Sequence, residues 1–356
     1  MKIETASRST SRVCLPGYPE VSMRFEWALT LTSLWILAGL YVDGWAHTNI
    51  PETIDSFFTP WHAVLYSGLA ASIGVIGTTY LSNLRKGYTW LRSLPPVYMH
   101  SLLGAVIFVA AGNLDFIWHA LFGFEEDVEA LVSPSHLSLA VGGVLMISGP
   151  LRMAWERSRS QDNRIPWPAL LSLFTVLGVF TFFTSFSNAF AHPNLVIGEV
   201  PAADTYLWDT TLISYVLIPS LLLMGFILIA ILRWKLPPGS LTFLIAGSSL
   251  LLFVMSISYS GQYWQVLIAA LLGGILADVL LNVLQPSRER VKALRWFSFL
   301  VPASLFLLYF LSLILTHGIW WNSNMWLGMI FFSGMTGLGL SWLTVPPYSP
   351  EESAQK

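Results

Sequence analysis

Residues 26–62, EWALTLTSLWILAGLYVDGWAHTNIPETIDSFFTPWH, contain the pattern that decides the fold: an apolar run, an acid and histidine at its end, a polar loop, and a helix start. The run 26–48 is long enough to cross a hydrocarbon core about 30 Å thick. Thr59 followed by Pro60 reads as an N-cap with proline in the first helical turn, so the chain turns back as a second helix. Nine comparable stretches follow, at 59–82, 97–122, 133–152, 167–191, 207–233, 240–258, 264–285, 297–317 and 323–345. The expectation is an all-α, polytopic membrane protein of about ten transmembrane helices, built partly from repeated helical hairpins.

Composition agrees. The 356 residues are 54% hydrophobic and 11% charged, against roughly 25% charged in soluble domains. An ordinary soluble enzyme is excluded, and the natural surroundings are the lipid bilayer. A formal net charge of −2 gives no reason to expect a nucleic-acid partner. The single cysteine, Cys14, rules out an intramolecular disulfide and a cysteine-built metal site. The first 25 residues are polar and basic and carry no apolar stretch of the signal-peptide kind.

Charge placement gives an orientation. With the N-terminus inside, all 18 Lys and Arg residues fall on the cytoplasmic face, as the positive-inside rule requires. Both termini are then cytoplasmic. The opposite face carries Glu52 and Asp55, then Glu125, Glu126, Asp127 and Glu129, then Glu199 and Asp204. The expected organisation is a cytoplasmic segment at 1–25, three repeated hairpins over 26–233, four further spans over 234–345, and a cytoplasmic tail at 346–356.

Working outward from the first hairpin, residues 113–136, NLDFIWHALFGFEEDVEALVSPSH, repeat its ending. Asp43 is followed by His47 at four residues and His62 fifteen later; Asp115 is followed by His119 at four and His136 seventeen later. The copies are offset by 72 to 74 residues, and Asn188, His192 and Asp209 form a degenerate third copy at an offset of 73. Spacing i, i+4 puts Asp and His on one helix face, and TPWH or SPSH brings a second histidine from the returning helix. Asp is read here in the last helical turn, where partial negative charge calls for a cation. Each hairpin thus offers two imidazoles and one carboxylate to a transition-metal ion, with coordination positions left open. The other reading, a plain Asp–His clasp closing the hairpin without an ion, stands beside it. Nearby loop acids Glu52, Asp55, Glu125 and Glu126 are candidates to support the ligands or to be simply solvated.

Other ionisable residues read as structural. His100 and His317 are taken as interfacial histidines, and Asp278 either supports proton movement or snorkels toward Arg288. No phosphate loop, nucleophile elbow or HExxH motif is present.

DGWAH with FFTPWH, and DFIWH with an acidic pair and SPSH, resemble a membrane-embedded subunit of the copper-containing membrane monooxygenases, the particulate methane and ammonia monooxygenase family. The resemblance covers roughly residues 40–140. It implies adjacent intramembrane copper sites at Asp43, His47, His62 and at Asp115, His119, His136, with other membrane-oxidase subunits or an external electron donor as partners. The chain departs from that family in having Asp115 where the family has Asn, in its span number, in slightly longer loops, and in lacking a cupredoxin-like domain. The reading that follows is a copper-dependent membrane oxidoreductase, monooxygenase-like, acting on a small apolar substrate, with iron or zinc as other metals for the same donors. A metal capture or transport protein and a zinc-dependent membrane hydrolase are the other classes compatible with the residues.

Overall fold

The computed structural model describes residues 17–51, 58–123, 127–157, 163–198 and 205–347. The N-terminal segment with Cys14, the loop acids Glu52, Asp55, Glu125, Glu126, Glu199 and Asp204, and the C-terminal tail from residue 348 lie outside the described residues.

The fold is all-helical. In chain order the helices are α1 (Met23–Asn49), α2 (Pro60–Arg85), α3 (Pro96–Phe122), α4 (Asp127–Val132), α5 (Pro134–Ile147), α6 (Gly149–Arg157), α7 (Trp167–Phe183), α8 (Thr205–Arg233), α9 (Ser240–Met255), α10 (Ile257–Ser260), α11 (Gln265–Leu284), α12 (Val291–Thr316) and α13 (Ser323–Thr344). Seven of them, α1, α2, α3, α8, α11, α12 and α13, are long and apolar enough to cross a membrane. The number rises to nine if two bent pairs each make one span: α5 with α6, bent by 44°, and α9 with Ile257–Tyr263, bent by 96°. The chain is therefore a multi-pass membrane protein, with seven to nine candidate spans among the described residues against the ten expected from hydropathy.

The difference lies in three places, each with a local cause. Pro150 follows the bend between α5 and α6, and a proline there removes a helical N–H. At the α9–α10 break, the Asn49 side chain bridges the gap: Nδ2 donates to Met255 O at 2.8 Å, and Oδ1 accepts from Ser258 N at 2.8 Å. The third is α7, whose 17 residues span only about 25 Å at 1.5 Å per residue. Hydropathy continues it to residue 191, but the chain leaves the helix at Thr184 and enters a 3₁₀ turn at Ser185–Ser187. A proline in α8 helps to hold this segment: Pro219 has no N–H for the carbonyl of Tyr215, and that carbonyl accepts from Ala189 N at 3.1 Å. The carbonyl of Ala189 in turn accepts from the Tyr309 hydroxyl at 2.9 Å.

Small residues set the helix crossings. A Cβ at Gly39 would lie 2.5 Å from Leu65 Cα, one at Gly68 2.9 Å from Ile36 N, and one at Gly104 2.6 Å from Gly142 O. These contacts bring α1 against α2 and α3 against α5 at backbone distance, as small residues do in membranes. Two acids stitch the helices together. Glu26, 1% exposed in α1, pairs with both terminal nitrogens of the Arg157 guanidinium at the end of α6. Asp278 of α11 accepts from Leu241 N at 3.2 Å, Thr242 N at 2.9 Å and Thr242 Oγ1 at 2.7 Å. Asp278 caps the start of α9, which replaces both sequence readings of that residue.

The crossing of α12 and α13 yields a prediction. Pro302 leaves the Ser298 carbonyl without its helical donor, and that oxygen sits against the position of Gly337, while nothing lies within 4 Å of Gly339. Gly337→Ala should lower stability by about 1–3 kcal/mol or more, whereas Gly339→Ala should leave the melting temperature in detergent nearly unchanged. Equal melting temperatures for the two variants would contradict this packing.

Candidate metal centre

In α1 and α2 the crossing at Gly39 and Gly68 brings the two helix ends close enough for side chains to meet. Asp43 Oδ2 lies 3.9 Å from His47 Nε2 and 3.4 Å from His62 Nε2. In α3 and α5, Asp115 Oδ1 lies 3.6 Å from the Nε2 atoms of both His119 and His136. Ring centroids are 5.9 Å apart for His47 and His62 and 5.8 Å for His119 and His136. Within each set the donor atoms fall within 4.8 Å of one another. Among the described residues these are the two groups of three or more His, Cys, Asp or Glu that are placed to hold one ion.

The returning histidines are held by the helix caps. Thr59 Oγ1 accepts from His62 N at 3.1 Å and contacts His62 Nδ1 at 2.8 Å. Ser133 Oγ does the same for His136, at 3.4 Å from its backbone N and 2.7 Å from Nδ1. One hydroxyl therefore both caps the helix and fixes the imidazole, turning Nε2 toward the carboxylate. Such outer partners are what orient metal-ligating histidines.

His119 is fixed differently, and its partner decides the tautomer. Nδ1 lies 3.2 Å from the carbonyl of Gly123. A carbonyl only accepts, so Nδ1 carries a proton, and in the neutral form of the ring it is the Nε2 lone pair that faces Asp115. Gly123 makes this possible at φ +83°, which suits glycine, while its own amide donates to His119 O at 3.0 Å.

The helices end at Asn49 and Phe122, within a residue of the expected ends, so Asp43 and Asp115 lie more than a turn from the helix ends and not in the last turn, where the sequence reading places them. Helix-terminal charge falls off within the last turn. Burial is the stronger constraint on these acids, which call for a proton or a cation beside them: side-chain exposure is 14% for Asp43 and 6% for Asp115. Asp43 Oδ1 and Asp115 Oδ1 are buried and accept no hydrogen bond. Carboxylate-to-imidazole separations of 3.4 to 3.9 Å exceed the roughly 2.9 Å of an N–H···O bond. Donors bound about 2.0–2.2 Å from one ion at tetrahedral angles sit roughly 3.3–3.6 Å apart, and the observed spacings lie near that range.

The two triads are neighbours. Asp43 interacts electrostatically with Asp115, and His47 with His119 and His136. The Phe58 and Phe116 rings meet at 6.3 Å beside them. Sequence reading missed Tyr66, one helical turn beyond His62. Its ring stacks on His62 with centroids 5.8 Å apart and planes 12° apart, and it interacts with both carboxylates. The i, i+4 spacing was its available signal.

The third candidate set is spread over other contacts. Asn188 Oδ1 accepts from Phe190 N at 3.0 Å, and Asp209 Oδ1 accepts from Trp321 Nε1 at 2.9 Å. His192 packs its ring against Tyr215 and Tyr259, at 6.0 and 5.6 Å. Burial holds its imidazole below the usual histidine range. His317 lies apart, with Nδ1 2.8 Å from Thr316 Oγ1. Comparison of the chain with protein-family models, curated proteins and solved structures gives no match.

The cap hydroxyls supply a test. Thr59→Val and Ser133→Ala should each weaken metal binding at their own triad by about 10–100-fold, at a cost in stability of only about 1 kcal/mol. Metal titration followed by calorimetry measures both quantities, and unchanged affinity would contradict the orienting role.

Proposed function

We propose that this chain is a membrane metal-binding protein whose two Asp/His triads hold transition-metal ions, and that it works as a copper-dependent oxidoreductase, monooxygenase-like, on a small apolar substrate. The observation that carries the metal reading is at Asp115: a buried carboxylate oxygen without a hydrogen bond faces an imidazole nitrogen whose partner nitrogen is committed to a carbonyl. With His119 neutral, these are two electron-pair donors pointed at one place, and a cation between them satisfies both.

The donor set fits. Two imidazoles and one carboxylate suit copper, iron or zinc and leave positions for an external ligand. The same set is used by non-haem iron, and the family resemblance is what selects copper. When bound, copper supplies one-electron chemistry with dioxygen. The chain's own residues fix the donors, through Thr59, Ser133 and Gly123. A reductant and other membrane subunits would supply what this chain does not carry.

Three finer readings belong to the same proposal. The repeated hairpins are supported by the matched cap-to-histidine contacts and by glycines six residues beyond His62 and His136, at Gly68 and Gly142. A ten-span count requires α7 and both bent pairs each to count as a crossing. The placement of both termini in the cytoplasm and of the triads toward the outer side rests on the one-sided distribution of Lys and Arg.

Element analysis of protein extracted from native membranes tests the proposal. Copper is expected, with His47→Ala and His119→Ala each removing the ion of one triad and abolishing dioxygen consumption. Metal content unchanged by both substitutions would refute the sites. Redox-silent zinc alone would replace the oxidoreductase with a hydrolase, and content that follows external supply without dioxygen consumption would favour metal handling.

A further inference from the structure

Where α7 gives way to the 3₁₀ turn Ser185–Ser187, a cavity between α7, α8 and α9 is lined by Thr181, Asn188, Pro219, Leu223, Ser248 and Ser249. Its depth follows from the helices. Ser249 is nine residues from the start of α9 at Ser240, and Leu223 is ten from the end of α8 at Arg233. At 1.5 Å per residue both lie about 14–15 Å along their helices, near the middle of a core about 30 Å thick.

Polar groups at that depth need partners, because hydrocarbon supplies none. Asn188 and Ser249 are each 2% exposed. The Asn188 amide is oriented without ambiguity, since Oδ1 accepts the N–H of Phe190. Its Nδ2 group therefore carries two donors, and among the described residues neither it nor the Ser249 hydroxyl has a hydrogen-bond partner. On the same wall, the Thr181 and Ser248 hydroxyls donate back to Leu177 O and Leu244 O at 2.7 Å each, which leaves their lone pairs as acceptors. The backbone nearby is irregular, and non-helical backbone at membrane depth is found where protein buries it or water reaches it.

The chemistry of these groups selects the occupant. A cation would meet the amide donors, and an anion would find no positive partner. A hydrocarbon group would leave the donors unsatisfied. A water molecule accepts from Asn188, exchanges a hydrogen bond with Ser249, and can donate to Thr181 or Ser248. The cavity has room for one molecule of that size. We propose that it binds a single structural water between the Asn188 amide and the Ser249 hydroxyl, tying the interrupted end of α7 to α9.

The test is a density map of the full chain in lipid nanodiscs at a resolution that shows ordered water. One isolated peak is expected at about 2.7–3.2 Å from Asn188 Nδ2 and Ser249 Oγ. Ser249→Ala should weaken or move that peak and lower the melting temperature. Ser249→Val should expel it and lower the melting temperature further, because the added methyl groups fill the space and strand the amide. A wild-type map without the peak, or xenon binding in the cavity, would overturn the proposal. So would a higher melting temperature for Ser249→Val, the result for a dry apolar void. None of these readouts depends on metal.

Discussion

Asp43 and Asp115 each put a carboxylate inside a helical bundle built for lipid, with two imidazole Nε2 atoms 3.4 to 3.9 Å away. An ionised carboxylate taken from water into such surroundings is costly unless another charge neutralises it. The nearest groups are donors of electron pairs when neutral, so the arrangement is stable only with protons or a metal ion among them. The Gly123 carbonyl, by committing Nδ1 of His119, removes the tautomer in which that neutral ring would donate to Asp115. Much of the local structure serves this requirement.

Three devices deliver the donors. Glycines at the crossings of α1 with α2 and α3 with α5 let the backbones approach within contact distance, so that a histidine on one helix reaches an acid on the other. The N-cap hydroxyls of Thr59 and Ser133 hold the returning imidazoles by Nδ1. Asn49, two residues beyond His47, ties the end of α1 to the broken junction of α9 and α10. A triad is thus attached to the bundle on both sides, and the two triads interact electrostatically.

Much of this was legible in the sequence, for a physical reason. Membrane spans are marked by uninterrupted apolar length, and N-caps by Thr-Pro and Ser-Pro, because both depend on residues close in sequence. The i, i+4 rule likewise places Asp43 with His47 and Asp115 with His119. What could not be read depends on distant partners. The end of α7 at Phe183 is invisible to hydropathy, because the apolar run continues while the Tyr215 carbonyl, left free by Pro219, binds the departing chain at Ala189. Asp278 looked like a membrane acid in need of a role, and its partners, the first amides of α9, lie 36 and 37 residues away. The proximity of the two triads and the stacking of Tyr66 on His62 likewise come from packing.

X-ray absorption at the metal edge of the purified protein tests the central claim most directly. Two ions bound as described should show nitrogen or oxygen neighbours at about 2.0–2.2 Å, with the outer-shell scattering of about two imidazoles per ion and no sulfur near 2.3 Å. A spectrum without imidazole scattering, or one dominated by sulfur, would contradict the assignment of the Asp43 and Asp115 clusters as metal sites.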